Sequence, residues 1–287
     1  MTENSGNENS PTIIDGNLGR VSAPSGETAL INAGDSDGVE IRYLTLKNNP
    51  DSHGTGIGAS YSNNLIAEFV NIYDTGGRGI SWRQTASCYG NRVKACHLKN
   101  NGYEEGWRGG GRGISLARTS GEISYNWVED SGEVGIGSSY FWNGDPPLGT
   151  WIHHNLVERA GGVGIEGAGY KQIIEYNIVR DCCQARGTDP GVNYSVSQIY
   201  PGMIDSGCVT QWNIIDHFHW IPPMDTNGFV GYNSDSGYLG YNVVVNPMSR
   251  GFSNWSQDVE TEENYVVSSD GEWSDALEGS HTAGSWE

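Results

Sequence analysis

Two carboxylates, Glu166 and Asp205, each follow an isoleucine that opens a short run of residues typical of a strand. If those isoleucines hold equivalent positions on neighbouring strands, both carboxylates point outward with backbones about 5 Å apart. Carboxylates this close can act as acid/base and nucleophile on a glycosidic bond, and their repulsion raises one pKa. One alternative is that the two carboxylates bind Ca²⁺, which prefers oxygen ligands. The other is that they are simply two solvated acidic residues on an acidic protein.

Two arginines, Arg78 and Arg112, directly precede a Gly-Ile pair, in the segments GGRGIS and GGGRGIS. This shared context predicts that they stack on nearby strands. An arginine can neutralise a substrate carboxylate beside the proton that a lyase removes. The alternative is a pair of surface arginines that offset nearby acids.

Aromatic and histidine side chains lie close to the same segments. Trp82 and Trp142 are candidates for stacking on sugar rings, as are Trp151, Trp220 and Trp255, although tryptophan in such turns also serves simple packing. His217 and His219 alternate and could face one side together with Asp225, so we include His219 and Asp225 among the substrate-binding candidates. Three converging zinc ligands are not evident, and we predict no metal ligands.

A repeat with two anchors organises these residues. The first anchor is an asparagine, whose place is taken in earlier copies by Leu44, Val70 and Cys96. The second anchor is an apolar residue, usually after glycine. The first-to-second step is 10 residues (126 to 136, 155 to 165) and the return is 12 or 13 (165 to 177, 57 to 70), a period of about 22. The asparagines are Asn126, Asn155, Asn177, Asn213, Asn242 and Asn264, and the apolar anchors are Ile57, Ile80, Ile114, Ile136, Ile165, Ile204, Phe229 and Phe252.

Such a unit is too short for a helix pair and predicts one coil of a parallel β-solenoid. Asparagines in register would then form a hydrogen-bonded ladder inside the stack. The Asn-x-Val runs and Gly-Ile starts, over roughly residues 39–268, resemble the right-handed parallel β-helix proteins of the pectate-lyase-like superfamily. We therefore predict an all-β fold, a right-handed parallel β-helix of about eight coils.

The resemblance implies a fold more firmly than an activity, because this superfamily includes lyases, hydrolases, epimerases, tailspikes and non-catalytic surface proteins. In its pectinase-like members the strand at the Gly-Ile position carries the catalytic groups. Insertions flank that strand in the middle and later copies here, which predicts a groove along it. The catalytic signatures of pectate lyases and polygalacturonases are not matched, so no catalytic residue is carried over from them.

The composition of the chain disfavours some classes of binding partner. The 287-residue chain has a formal net charge of -19 and only four lysines, which disfavours nucleic acid and anionic membranes as partners. No apolar run is long enough for membrane insertion. A neutral or weakly acidic polysaccharide fits better, and a strongly polyanionic one requires a local arginine cluster or bound Ca²⁺.

The chain divides into three parts by composition. Residues 1–12 read as a disordered arm, 13–268 as the β-helix domain, and 269–287 as an acidic tail. The amphipathic capping helix that opens such proteins is not evident, so we expect a trimmed chain or an end covered by a partner, including a homo-oligomer through uncapped ends. No signal peptide is recognisable, but we expect an extracellular or cell-surface protein from which the signal peptide was removed or trimmed.

The sequence thus predicts a carbohydrate-active enzyme that cleaves a polysaccharide in a groove along the Gly-Ile strands. Glycoside hydrolysis through Glu166 and Asp205 is placed ahead of β-elimination that uses Arg78 or Arg112. The rival prediction is a non-catalytic structural or glycan-binding surface protein, such as an oligomer or filament subunit.

Overall fold

All regular elements in the described part of the chain are β-strands. The computed structural model describes residues 12–22, 29–49, 54–102, 111–139, 149–167, 171–182, 196–201, 207–216, 226–231, 237–246, 250–254 and 259–267. Within these ranges no helix is long and apolar enough to cross a membrane. The strands are β1 (Thr12–Ser22), β2 (Ala29–Asn32), β3 (Val39–Asn49), β4 (Thr55–Ala59), β5 (Ile66–Glu68), β6 (Asn71–Thr75), β7 (Arg78–Lys94), β8 (His97–Asn101), β9 (Arg112–Ser124), β10 (Trp127–Glu129), β11 (Val134–Ser139), β12 (Thr150–His153), β13 (Leu156–Glu158), β14 (Ile165–Gly167), β15 (Ile173–Glu175), β16 (Ile178–Arg180), β17 (Val196–Pro201), β18 (Cys208–Gln211), β19 (Ile214–Asp216), β20 (Thr226–Gly231), β21 (Gly237–Gly240), β22 (Val243–Val245), β23 (Arg250–Asn254), β24 (Val259–Glu262) and β25 (Tyr265–Val267).

Parallel pairing between successive coils makes three faces. The first face contains β5, β12, β15, β18, β21 and β24 with parts of β1, β3, β7 and β9. The second face contains β6, β8, β10, β13, β16, β19, β22 and β25 with parts of β1 and β3. The third, which we call the Gly-Ile face, contains β2, β4, the starts of β7 and β9, then β11, β14, β17, β20 and β23. This parallel stack confirms the predicted β-helix.

The stack extends further toward the N-terminus than the repeat pattern indicates. The pattern starts at Val39, but β1 pairs with β3 and β2 pairs with β4 through Ile31 and Ile57. Nine strands therefore follow one another on the Gly-Ile face of the described chain, one more than the predicted eight coils. The earliest coil was missed because Ile31 follows leucine rather than glycine.

Inward isoleucines form the core of the Gly-Ile face. Ile57, Ile80, Ile114, Ile136 and Ile165 are fully buried and pair in register from coil to coil. Burial of each such side chain stabilises the fold by roughly 1.5–3 kcal/mol.

Close packing explains why glycine precedes these isoleucines. A Cβ at Gly135 would lie 2.3 Å from Val157 Cγ1 and 2.6 Å from the Gly164 carbonyl oxygen. Any larger residue would force the Gly-Ile face away from the second face, so glycine allows the two faces to approach closely.

The predicted asparagine ladder is confirmed at the corner between the first and second faces. Each Nδ2 donates to the Oδ1 of the next asparagine along the axis, at 2.9–3.0 Å from Asn126 to Asn264. The same Oδ1 atoms also accept backbone N–H groups, so these buried amides are well satisfied. In the copy just before Asn126, which has Cys96 in place of asparagine, the Cys96 N–H donates to Asn126 Oδ1 at 3.0 Å.

A residue in the left-handed backbone conformation forms the bend before each ladder asparagine. Its φ lies between 54° and 57° at Tyr125, His154, Tyr176, Trp212 and Tyr241. This conformation is uncommon for residues with a Cβ, and the hydrogen-bonded asparagine that follows holds the bend in place. The side chains at these bends project outward and stack on one another, as Trp212 and Tyr241 do with ring centroids 4.3 Å apart and planes 4° from parallel.

Candidate functional site

One residue per coil occupies the position immediately after the inward apolar residue of the Gly-Ile face. The strand register places Gly58, Ser81, Ser115, Gly137 and Glu166 at this position on successive coils. Small residues at four of these five positions leave a shallow strip along the face. Glu166 is the one carboxylate at this position among the described strands.

The register contradicts the position predicted for Asp205. Ile165 pairs with Ile199, so Tyr200 and not Asp205 lies beside Glu166 on the next coil. Ile199 in turn pairs with Phe229, which leaves Ile204 no place in the column. The error arose because the long insertion after Cys182 obscures the spacing. Asp205 itself lies outside the described residues, and its proposed pairing with Glu166 is wrong.

Arg112 and Glu166 form an ion pair across the face. Arg112 Nη1 lies 2.8 Å from Glu166 Oε2, and both side chains are largely buried, with 13% and 21% of their surface exposed. Arg112 lies opposite Val134 of the next coil, and Glu166 lies one coil further on. The two backbones are thus roughly 10 Å apart along the axis, and the extended arginine spans the intervening coil.

Gly137 provides the space for this ion pair. A Cβ on Gly137 would lie 2.6 Å from Arg112 Nη1 and 3.4 Å from Glu166 Oε2. The guanidinium therefore passes directly over the glycine. We assigned Gly137 no role from the sequence, although a glycine between an upstream arginine and a downstream glutamate in one column was an available signal.

Arg78 lies one coil before Arg112, as the predicted stacking requires. Ile80 pairs with Ile114, and each arginine precedes its isoleucine by two residues. Arg78 Nη1 donates to Ser81 Oγ at 3.2 Å on the same strand. Two guanidinium groups thus occupy neighbouring coils of one face on a strongly acidic chain.

The tryptophans are placed differently from the prediction. Trp82 is 1% exposed and packs inside the core, because the second residue after Ile80 returns to the inward side of the strand. Trp82 is therefore not a sugar-stacking residue, and this prediction is wrong. Trp151 is exposed but belongs to the first face, where it pairs with Ile173.

Several predicted site residues lie outside the described residues: Trp142, His217, His219, Trp220, Asp225 and Trp255. Their roles stay predictions. In the described ranges no group of three His, Cys, Asp or Glu side chains is placed to hold a metal ion.

The family model for "Right handed beta helix region" matches residues 9–146. A comparison with curated protein sequences found no match. Among solved structures, the Azotobacter vinelandii mannuronan C-5 epimerase AlgE4 A-module is similar with a TM-score of 0.62 and 11% identity, over 94% of this chain and 81% of that one. A glycoside hydrolase is similar with a TM-score of 0.56 and 10% identity, over 80% of this chain and 48% of the hydrolase.

A third similar structure is a mutant DFA-IIIase from Arthrobacter chlorophenolicus A6, with a TM-score of 0.52 and 11% identity, over 86% of this chain and 63% of that chain. This chain thus spans about half to four fifths of the length of these neighbours. At such low identity the likeness concerns the fold alone. Together with the matched family model and the parallel three-faced stack, it shows that the chain folds as a right-handed parallel β-helix.

Proposed function

We propose that this protein is a carbohydrate-active enzyme that cleaves a uronic-acid-containing polysaccharide by β-elimination along the Gly-Ile face. The observation that carries the proposal is the Arg112–Glu166 ion pair beside a strip of small residues. An open strip of this kind suits an extended chain substrate. The site combines a cation for a substrate carboxylate with a carboxylate able to take a proton.

The proposed reaction begins when a uronate carboxylate displaces Glu166 from the Arg112 guanidinium. Bidentate pairing with Arg112 neutralises the substrate carboxylate and makes the adjacent C5 proton more acidic. Glu166, released from its ion pair, accepts that proton. The C4–O glycosidic bond then breaks, which leaves a double bond between C4 and C5. The leaving oxygen takes the electron pair and a proton from water, and Glu166 returns its proton to solvent. Arg78 extends the cationic strip to the neighbouring sugar.

The register favours elimination over hydrolysis. Hydrolysis by a pair of carboxylates needs two of them near the bond, and Tyr200 holds the position predicted for the second. Elimination needs only one base together with charge neutralisation, and both are present in Arg112 and Glu166. Hydrolysis remains the second candidate because Glu166 could serve as one member of a pair.

The similar solved structures support a carbohydrate-active role in general, without specifying the reaction. The similar structures include an epimerase whose name specifies mannuronan, a uronic-acid polymer, and a glycoside hydrolase. A polymer substrate also supports the proposal that the protein works outside the cell or at its surface. On a chain with a net charge of -19, an acidic polymer requires local cations, which Arg78 and Arg112 provide.

The test is a panel of uronic-acid and neutral polysaccharides, assayed for unsaturated products and for new reducing ends, with and without added Ca²⁺. We expect unsaturated products from a uronic-acid polymer, and at least a roughly 100-fold loss of turnover in Arg112→Lys and Glu166→Gln. New reducing ends without unsaturation would indicate hydrolysis instead. Binding without either product would indicate the non-catalytic alternative.

Arg42→Lys is the matched control. Arg42 Nη2 lies 3.0 Å from Glu40 Oε2 in an ion pair on the first face, away from the proposed site. We expect this variant to retain full turnover. Equal losses in Arg42→Lys and Arg112→Lys would overturn the assignment of the site.

A further inference from the structure

A row of exposed apolar side chains runs along the second face, remote from the Arg112–Glu166 site. It consists of one residue from each of six successive strands, paired in register. Four of the six are about two-fifths exposed (41–42%), and the other two are half-buried. We call this row the apolar strip; it comprises Trp127, Leu156, Ile178, Ile214, Val243 and Tyr265.

The strip is too extensive to be a chance exposure of single residues. Six strands at the usual spacing give it a length of about 24 Å. The outward aromatic residues at the neighbouring corner, among them Tyr176, Trp212 and Tyr241, continue it on one side. Contiguous apolar surface of this size marks an interaction site in soluble proteins.

The ring geometry disfavours a sugar as the occupant. Sugars stack on aromatic faces, but Trp212 and Tyr241 at the neighbouring corner stack on each other, with ring centroids 4.3 Å apart and planes 4° from parallel. Four of the six residues of the strip are aliphatic and offer no ring to a sugar. Such a surface favours a protein that buries apolar area without needing planar stacking.

The charge distribution favours a second copy of this chain. The strands of this face, including β6 and the parts of β1 and β3 that lie on it, contain four cations and four carboxylates, so the face adds nothing to the net charge of -19. Two copies can therefore approach each other through this face with little net charge repulsion. The eight charged residues are Arg20, Lys47, Asp74, Lys99, Glu129, Glu158, Arg180 and Asp216.

The carboxylates beside the strip already form ion pairs within the chain, which lowers the cost of burying them in an interface. Glu158 Oε1 lies 2.5 Å from Arg180 Nη2, and its other oxygen accepts a hydrogen bond from the Trp127 indole at 2.6 Å. Glu129 contacts Arg159 and lies 3.3 Å from Lys99 Nζ. Paired charges of this kind can enter an interface without requiring counter-charges from the partner.

We infer that the apolar strip is a self-association surface on which a second copy of this chain packs its own strip. Both copies present side chains at the same strand spacing, so the two surfaces match along their length. With three residues per strand the face is about 10 Å wide, so it offers roughly 240 Å² per copy, to which the corner aromatic residues add. An interface of this size is in the range of weak, reversible association.

This inference concerns a different face from the proposed enzymatic site and does not depend on that function. The experiment is sedimentation equilibrium of the purified chain over a wide concentration range. We expect the wild-type chain to dimerise reversibly, and Ile178→Lys or Ile214→Lys to raise the dissociation constant at least about tenfold. Because both side chains are exposed, thermal unfolding should hardly change, which separates lost association from lost folding.

Ile173→Lys is the matched control for added charge. Ile173 is similarly exposed and lies in the same coil as Ile178, but on the first face. We expect this variant to dimerise like the wild type. A chain that is monomeric at every concentration, or an Ile173→Lys effect as large as that of Ile178→Lys, would overturn the inference.

Discussion

Arg112 and Glu166 meet at 2.8 Å although their backbones belong to coils that are not adjacent. The contact exists because the intervening residue at this position is Gly137. Most side-chain contacts in a solenoid join a coil to its immediate neighbour. A contact that spans three coils therefore ties the site to their combined geometry.

Gly137→Ala should disable the site without unfolding the protein. The new Cβ would lie 2.6 Å from Arg112 Nη1, and the flexible end of the arginine can move aside more easily than the backbone. Displacement of the guanidinium from Glu166 should reduce turnover on the order of 10-fold to 100-fold. Steady-state kinetics and the thermal unfolding midpoint of the same preparation would measure both effects.

Gly58→Ala is the appropriate comparison for that variant. Gly58 holds the equivalent position on an earlier coil, where its nearest neighbour would be Ala29 Cβ at 3.3 Å. This variant should retain its turnover. If both alanine variants lost activity equally, the effect would come from the glycine backbone and not from the ion pair.

Asn177→Ala should destabilise the fold strongly. Asn177 Oδ1 accepts hydrogen bonds from the backbone and side chain of Asn155, and its Nδ2 donates to Asn213 Oδ1. Alanine leaves these buried groups without their partner, at a cost of about 2–4 kcal/mol in the free energy of unfolding. Urea denaturation followed by circular dichroism would measure the loss. Asn71→Ala, at a half-buried position on the second face, should cost less than about 0.5 kcal/mol.

Acid should destabilise the protein through His153. Burial lowers the pKa of this histidine, and its neighbour His154 lowers it further, against the opposing effect of Glu122 at 3.3 Å. The folded chain therefore binds fewer protons at this site than the unfolded chain, so stability falls as the pH drops below about 6.5.

Thermal unfolding of wild type and His153→Gln across this pH range would test the effect. The variant should show a weaker dependence between about pH 5 and 6.5, where ordinary carboxylates remain ionised. Identical pH profiles for the two proteins would show that His153 does not contribute.

The sequence predicted the fold well because each coil repeats the same physical requirements. The ladder needs asparagine at the corner, and close packing of the faces needs glycine before the inward isoleucine. Repetition of these requirements revealed the register even where Leu44, Val70 or Cys96 replaces the asparagine. The first coil escaped detection because Ile31 has neither marker.

The candidate site was harder to predict from the sequence than the fold. Glu166 and Arg112 were identified one by one, but a contact between coils depends on side-chain length and on the space above Gly137. Asp205 was misplaced because spacing alone does not locate a strand after a long insertion. Trp82 was assigned to the groove although simple alternation from Ile80 directs it into the core.

The asparagine ladder also gives the molecule an electrical direction. Each side-chain amide donates to the next one in the same sense, from Asn126 to Asn264, so the individual dipoles add along the axis. A carboxamide dipole is comparable to the ~3.5 D of a peptide unit. The positive end of this row lies at the last asparagine, in the coil that also contains Glu260, Glu262 and Glu263. Acidic residues at that end and amide dipoles within the stack therefore oppose each other's fields, much as carboxylates do at the start of a helix.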